Sequence, residues 1–250
     1  MNADLTLALE LADLADSISL PRFRADDLHV ETKPDMTPVT EADRAVEEAL
    51  RKRLATDRPD HAVVGEEFGA ATGRTRWIID PIDGTKNYVR GVPVWGALIG
   101  QEVDGEIVAG VVSAPALGRR WWAAKGEGAY ADGRPISVSK VAGIGDAFLS
   151  HASLEGWSEI GRAAQFDALA RKVWRTRGFG DFWQHMMVAE GAVDAAVEPS
   201  VEVWDIAALK IIVEEAGGRL TDLTGAARVD GGNAVSSNGL LHDDLVAALG

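Results

Sequence analysis

Four acidic positions carry the chemistry this sequence offers. Glu66 follows the short apolar run 61–65. Asp80 and Asp83 follow the run 76–79 and are separated by Pro81-Ile82, and Asp205 opens a helical pattern after Trp204. Singly, each has an ordinary explanation. Asp205 reads as a first-turn partner of the helix dipole, Glu66-Glu67 as a solvated turn, and Asp80 with Asp83 as an Asx-turn pair helped by the proline. Together, carboxylates at strand ends crowd like charges into one crevice, which is costly unless a cation neutralises them. Oxygen donors without His or Cys select hard cations such as Mg2+ or Mn2+. Pro81 stiffens the turn and aims the Ile82 carbonyl at the same ion. Gly84-Thr85 then offers backbone N–H groups at a helix N-terminus, where a phosphate binds. The set predicts metal-assisted phosphoryl transfer to water.

Other chemistries are excluded on composition and motif. The 250 residues include 25 basic and 39 acidic side chains, a net charge of −14. So acidic a chain has no general electrostatic reason to bind nucleic acid or an anionic membrane. It has no cysteine, which removes disulfides, thiolate metal sites and cysteine nucleophiles. There is no Walker A loop and no G-x-S-x-G elbow. Asp80 and Asp83 are too widely spaced for an aspartyl-phosphate motif of the D-x-D-x-T type. His29, His61, His151, His185 and His242 are scattered and read as surface or packing residues. Trp121-Trp122 reads as a strand with alternating faces. The acidic start, and an apolar stretch 92–99 broken by Pro93 and Gly96, predict a cytoplasmic protein.

The elements that must position these residues follow from periodicity. One helix runs from near the N-terminus and stops at Pro21. A second spans 40–54, with Thr40 and Asp43 at capping-box spacing. Strands at 61–65 and 76–79 end at the acidic positions. A hairpin follows, 94–103 and 106–113 around Asp104-Gly105, and the sheet continues at 120–124 and 128–130. An unpatterned segment, 140–146, separates a first half (1–140) with most of the ligands from a second (141–250) that adds Asp205 and substrate contacts. The second half alternates: strand 147–151, helix 158–172, strand 173–177, helix 182–190, strand 193–197, helix 204–216, two short strands and a last helix from Asp243. The pattern predicts an α/β fold of stacked sheet and helix layers.

The strings Gly65-Glu66-Glu67, Trp77-Ile78-Ile79-Asp80-Pro81-Ile82-Asp83-Gly84-Thr85-Lys86-Asn87 and Trp204-Asp205-Ile206-Ala207-Ala208, with Gly217-Gly218, resemble the inositol monophosphatase family. The segment Thr37-Pro38-Val39-Thr40-Glu41-Ala42-Asp43 resembles its upstream motif. The resemblance covers essentially the whole chain. It implies an αβαβα sandwich, a homodimer, and Mg2+-dependent phosphomonoester hydrolysis, often lithium-inhibited, by direct attack of a metal-activated water. Carried over position by position, Glu66, Asp80, the Ile82 carbonyl, Asp83 and Asp205 match metal ligands. Thr85 and Asp43 match a hydrogen-bonded pair that helps Glu66 orient the attacking water. The Gly84 and Thr85 amides match the phosphate site, and Glu198 a carboxylate that contacts the alcohol part of the substrate, with Asp83 and Asp205 bordering it.

Which alcohol leaves is read from the second half. Counting back from Gly191, Asp181 replaces a small residue that inositol-type members carry near the leaving group. With Glu198 it gives the pocket two anions beyond the metal ligands, which suits a cationic alcohol better than a polyol. The stretches Asn87-Tyr88-Val89-Arg90-Gly91-Val92-Pro93-Val94-Trp95, Arg119-Arg120-Trp121-Trp122-Ala123-Ala124 and Gly180-Asp181-Phe182 resemble the histidinol-phosphatase branch, whose substrate carries an amine and an imidazole. The alternatives are an inositol- or sugar-phosphate phosphatase, and a metal-binding regulatory homologue. For Asp181 itself the competing role is a cap on the helix that follows.

Overall fold

The computed structural model describes residues 3–34 and 36–250. Helix α1 (Ala3–Arg22) leads into a short antiparallel hairpin, β1 (Val30–Thr32) and β2 (Pro38–Thr40), and then into α2 (Glu41–Asp57). Next come β3 (Ala62–Gly65), β4 (Gly69–Ala70) and β5 (Thr75–Asp83), and the short helix α3 (Thr85–Arg90). A meander follows: β6 (Gly96–Val103), β7 (Glu106–Ala114), β8 (Arg119–Ala124), β9 (Ala129–Ala131) and β10 (Arg134–Pro135). These form an eight-stranded sheet of order β10-β9-β8-β7-β6-β5-β3-β4, antiparallel except for the pair β3–β5.

The remaining elements are β11 (Phe148–His151), α4 (Leu154–Glu159), α5 (Ala163–Ala170), β12 (Arg175–Arg177), α6 (Asp181–Ala189), β13 (Ala195–Glu198), α7 (Val203–Glu215), β14 (Arg219–Thr221), β15 (Ala234–Ser237) and α8 (His242–Leu249). Their strands form a second sheet of order β12-β11-β13-β15-β14. No described helix is long and apolar enough to cross a membrane.

Strand alternation builds the layers. Trp77, Ile79, Ala97, Ile99 and Val111 point to one face of the large sheet, where α1 and α2 bury Leu11, Val46 and Leu50 against them. Ile78, Leu98 and Val112 point to the other face and meet α6 and α7. With both faces covered, these strands read as continuous apolar runs. Helix α7 packs against β6 and β7 on one side and β14 and β15 on the other, so it is apolar nearly all round. The outer face of the second sheet is closed by α4, α5 and α8 through Trp157, Phe166 and Leu245. The result is an αβαβα sandwich. Gly110 sets how closely α7 lies on the large sheet: a Cβ there would sit 2.6 Å from the Ala208 carbonyl oxygen.

Several expected boundaries move. Helix α1 runs through Pro21 to Arg22, one residue further than the proline predicts. The single helix expected over 158–172 is two, because Gly161 adopts φ +71 and breaks the turn between α4 and α5. Asp80 and Asp83 do not follow a strand; they lie inside β5, on either side of a register shift against β6. That irregularity lets two carboxylates three residues apart serve one crevice. The unpatterned segment 140–146 holds one 3₁₀ turn, Ile144–Asp146.

Candidate active site

Each acidic residue is held by a local device. The capping box at the start of α2 is present: the Thr40 amide donates to Asp43 Oδ2 at 2.8 Å, and the Ala42 amide to Thr40 Oγ1 at 3.1 Å. This turns the other oxygen, Oδ1, toward Thr85 Oγ1, 3.2 Å away. The same hydroxyl lies 3.0 Å from the Ile82 carbonyl oxygen. Asp80 Oδ1 accepts from the Ile82 amide at 3.0 Å, so the Asx turn and membership of the acidic cluster coexist in one residue. Asp205 is likewise both a cap and a cluster member, its Oδ2 taking the Glu202 amide at 2.8 Å.

Glu66 sits on the turn after β3. That turn is tied down by Glu47, a fully buried carboxylate on α2 that accepts the Glu67 amide at 2.7 Å, the Phe68 amide at 3.2 Å and Arg51 Nε at 2.7 Å. A Cβ on Gly65 would lie 2.1 Å from Glu47 Oε1, so only glycine fits there. Sequence reasoning missed Glu47, which reads as one more polar residue on an amphipathic helix. It missed Lys33 too. From the loop between β1 and β2, Lys33 Nζ donates to Glu66 Oε1 at 2.7 Å and to Glu67 Oε1 at 2.6 Å. Burial opposes the ammonium, but the two carboxylates outweigh it and hold its pKa above the ordinary lysine range. The Glu66-Glu67 turn is therefore ion-paired rather than simply solvated.

Asp80, Asp83 and Asp205 each offer an oxygen within 4.8 Å of the others. Burial, followed by the charges of Glu66, Asp83 and Asp205, holds the Asp80 carboxyl well above the usual range. Asp83 is raised by burial and by Asp181 and Asp205, against a hydrogen bond from the Phe182 amide. Asp205 is pushed up to about 7 by burial, with Glu198 and Glu66 adding to it. Three carboxylates held this close, each disfavoured as an anion, and an all-oxygen donor set fit a hard divalent cation. Asp80, Asp83 and Asp205, with Glu66 across a cavity of about 570 Å³, are the residues that would hold it.

Asp181 is not the helix cap. Gly180 occupies the N-cap of α6 and Asp181 the first helical position, with φ +49; among the described residues no amide of the helix donates to the Asp181 side chain. The Phe182 amide is instead taken by Asp83 Oδ2 at 2.6 Å. Asp181 Oδ2 accepts from Asn87 Nδ2 at 2.9 Å. Burial and the Glu198 charge raise its pKa to about 6. A side pocket of about 160 Å³ brings Asp181 and Glu198 together with Asp83, Ser200 and Asp205. Gly84, in the left-handed region at φ +83, turns the chain into α3 at the edge of the main cavity, so Thr85 and Lys86 line it.

Comparison with known proteins places the chain by sequence and by fold. The inositol monophosphatase family model matches residues 2–249. A histidinol-phosphatase of Mycobacterium tuberculosis is 58% identical over 98% of this chain and 97% of its own length, and one of Streptomyces coelicolor is 55% identical over 98% and 96%. Among solved structures, an inositol monophosphatase from Zymomonas mobilis superposes with a TM-score of 0.89 at 31% identity, covering 100% of this chain and 99% of that one. Fold and sequence agree, and the chain belongs to the inositol monophosphatase family.

Proposed function

We infer that this chain is a Mg2+-dependent phosphatase whose substrate is histidinol phosphate. The observation that carries the substrate is the side pocket, where two carboxylates, Asp181 and Glu198, face the space beside the metal ligands. A polyol such as inositol offers no positive group to offset them, whereas histidinol offers an amine and an imidazole. The names of the relatives from M. tuberculosis and S. coelicolor support the same substrate. The family resemblance further supports a homodimer, which we place in the cytoplasm.

In this reading Glu66, Asp80, Asp83, Asp205 and the Ile82 carbonyl hold the cations. When bound, divalent cations make water acidic and offset the charge that spreads over the phosphoryl group. The protein's own residues set direction. Asp43, with Oδ2 committed to the Thr40 amide and hydroxyl, accepts a hydrogen bond from the Thr85 hydroxyl on Oδ1. Thr85 Oγ1 then faces water with lone pairs only and accepts one hydrogen bond from it, while Glu66 accepts the other. The water is thereby aimed along the line of the ester bond. The Gly84 and Thr85 amides hold phosphoryl oxygens, and Asp181 and Glu198 hold the alcohol.

Removing the metal tests the class. A metal-free preparation in excess chelator is expected to lose turnover while its circular dichroism is retained, and added Mg2+ should restore the activity. Large apolar clusters hold the layers together without any contribution from an ion, so the fold should survive its removal. Full activity in chelator would sink the proposed chemistry.

A further inference from the structure

We propose that Gln184 and His185, on α6, are positioning residues that set the substrate-facing oxygen of Glu198 and so contribute to recognition of the leaving alcohol. Glu198 ends β13, and a single one of its oxygens takes both bonds. Oε1 accepts from Gln184 Nε2 at 2.6 Å and from His185 Nε2 at 3.0 Å. A carboxylate only accepts, so Gln184 must present its NH2 and His185 must carry a proton on Nε2. The far ends agree with that assignment. Gln184 Oε1 accepts from the Ser150 hydroxyl at 2.8 Å, and His185 Nδ1 lies 2.8 Å from Ser236 Oγ. Gln184, His185, Ser150 and Ser236 are all fully buried. Glu198 is not; its side chain is 12% exposed, and it borders the small pocket shared with Asp181. Among the described residues, its Oε2 has no hydrogen-bond partner. One oxygen is anchored and the other is left for a ligand.

A stitching role is the competing account, since Ser150, Glu198 and Ser236 lie on neighbouring strands β11, β13 and β15. Stitching would affect every substrate alike. Positioning would act on the group that meets Glu198, and it would act through Glu198. The inference rests on the reading above, that Glu198 faces a positively charged alcohol.

The experiment is a double-mutant cycle. Gln184→Met keeps the volume and removes the donor; Glu198→Gln removes the charge. For both, and for the double variant, kcat/KM is measured on histidinol phosphate and on glycerol 2-phosphate, with the inhibition constant of free histidinol. Gln184→Met should lower kcat/KM for histidinol phosphate about tenfold, the worth of one charge-assisted hydrogen bond. The loss should fall on KM, with histidinol inhibition weakened in parallel, and should exceed the loss on glycerol 2-phosphate about fivefold or more. In the Glu198→Gln background, Gln184→Met should cost less than about twofold. Ser150→Ala, a milder change, should show the same pattern at about two- to threefold, and decides the matter if Gln184→Met fails to fold. Equal losses on both substrates, a loss confined to kcat, or full additivity with Glu198→Gln would overturn the proposal. If the wild-type enzyme does not prefer histidinol phosphate, the substrate reading fails by itself. The cycle on its preferred phosphate still decides whether Gln184 acts through Glu198.

Discussion

Asp83→Asn should lower turnover by on the order of a thousandfold or more while leaving the metal-free protein as stable as the parent, or more so. The substitution keeps the size and removes the charge. Its effect on the metal-free fold depends on two opposed contributions. Asp83 accepts the Phe182 amide at 2.6 Å, which favours the anion and ties α6 to β5. Burial and the charges of Asp181 and Asp205 disfavour it. The carboxyl pKa is raised on balance, so the surroundings as a whole prefer the neutral form. A neutral amide whose carbonyl oxygen still faces Phe182 satisfies that preference. For a raised carboxyl the anionic form is destabilising above its ordinary pKa, and the penalty is relieved only as pH falls through the folded value. Removing the charge should therefore be neutral or stabilising at pH 7 to 8 without metal. Urea unfolding in chelator, alongside steady-state assays in Mg2+, checks both halves. Near-normal turnover would make Asp83 a structural residue, and a large loss of apo stability would mean its charge supports the fold.

The second large effect concerns selectivity. Asp181→Asn should reduce kcat/KM for histidinol phosphate tenfold to a hundredfold more than for glycerol 2-phosphate. One charge-assisted hydrogen bond is worth about 1.5–3 kcal/mol, which sets that range. The backbone favours asparagine as a clean replacement. Asp181 sits at φ +49, a conformation asparagine tolerates better than most residues. Its carbonyl oxygen can still accept from Asn87 Nδ2, as Asp181 Oδ2 does. What disappears is the charge. Both substrates should keep the same Mg2+ dependence. Equal loss on both would mean that Asp181 supports the cavity generally. No loss on either would remove it from substrate recognition.

The acidic cluster was legible because residue type, the close spacing about Pro81 and the absence of His and Cys beside it all point to one kind of ligand, although the expected strand-end position failed for Asp80 and Asp83. The capping box at Thr40 and Asp43 was legible because it is a local code. What surrounds them was not. Glu47 and Gln184 occupy helix positions that a periodicity argument assigns to a polar face, and only the arrival of the turn at 65–68 and of β13 buries them. His185 reads in sequence as a surface or packing residue, because nothing in its neighbours along the chain announces Glu198, thirteen residues later. Lys33 lies between two three-residue strands, too short to register as a hairpin. Asp181 reads in sequence as a competing helix cap because Asp before a helix usually is one. The left-handed backbone at Gly180 and Asp181 shifts the helix start by one residue and frees the carboxylate for the pocket. In each case the missing information is tertiary, a contact between segments far apart in sequence.

One measurement addresses directly the proposed pairing of a divalent-metal phosphatase site with an acidic alcohol pocket. The purified enzyme in Mg2+ is assayed on histidinol phosphate, inositol 1-phosphate, fructose 1,6-bisphosphate and glycerol 2-phosphate at equal concentration, with a parallel series in chelator. The account predicts that histidinol phosphate has the highest kcat/KM by about tenfold or more, the worth of at least one charge-assisted contact, and that every rate vanishes in chelator. Inositol 1-phosphate or a sugar phosphate turned over as well as histidinol phosphate, or better, would contradict it.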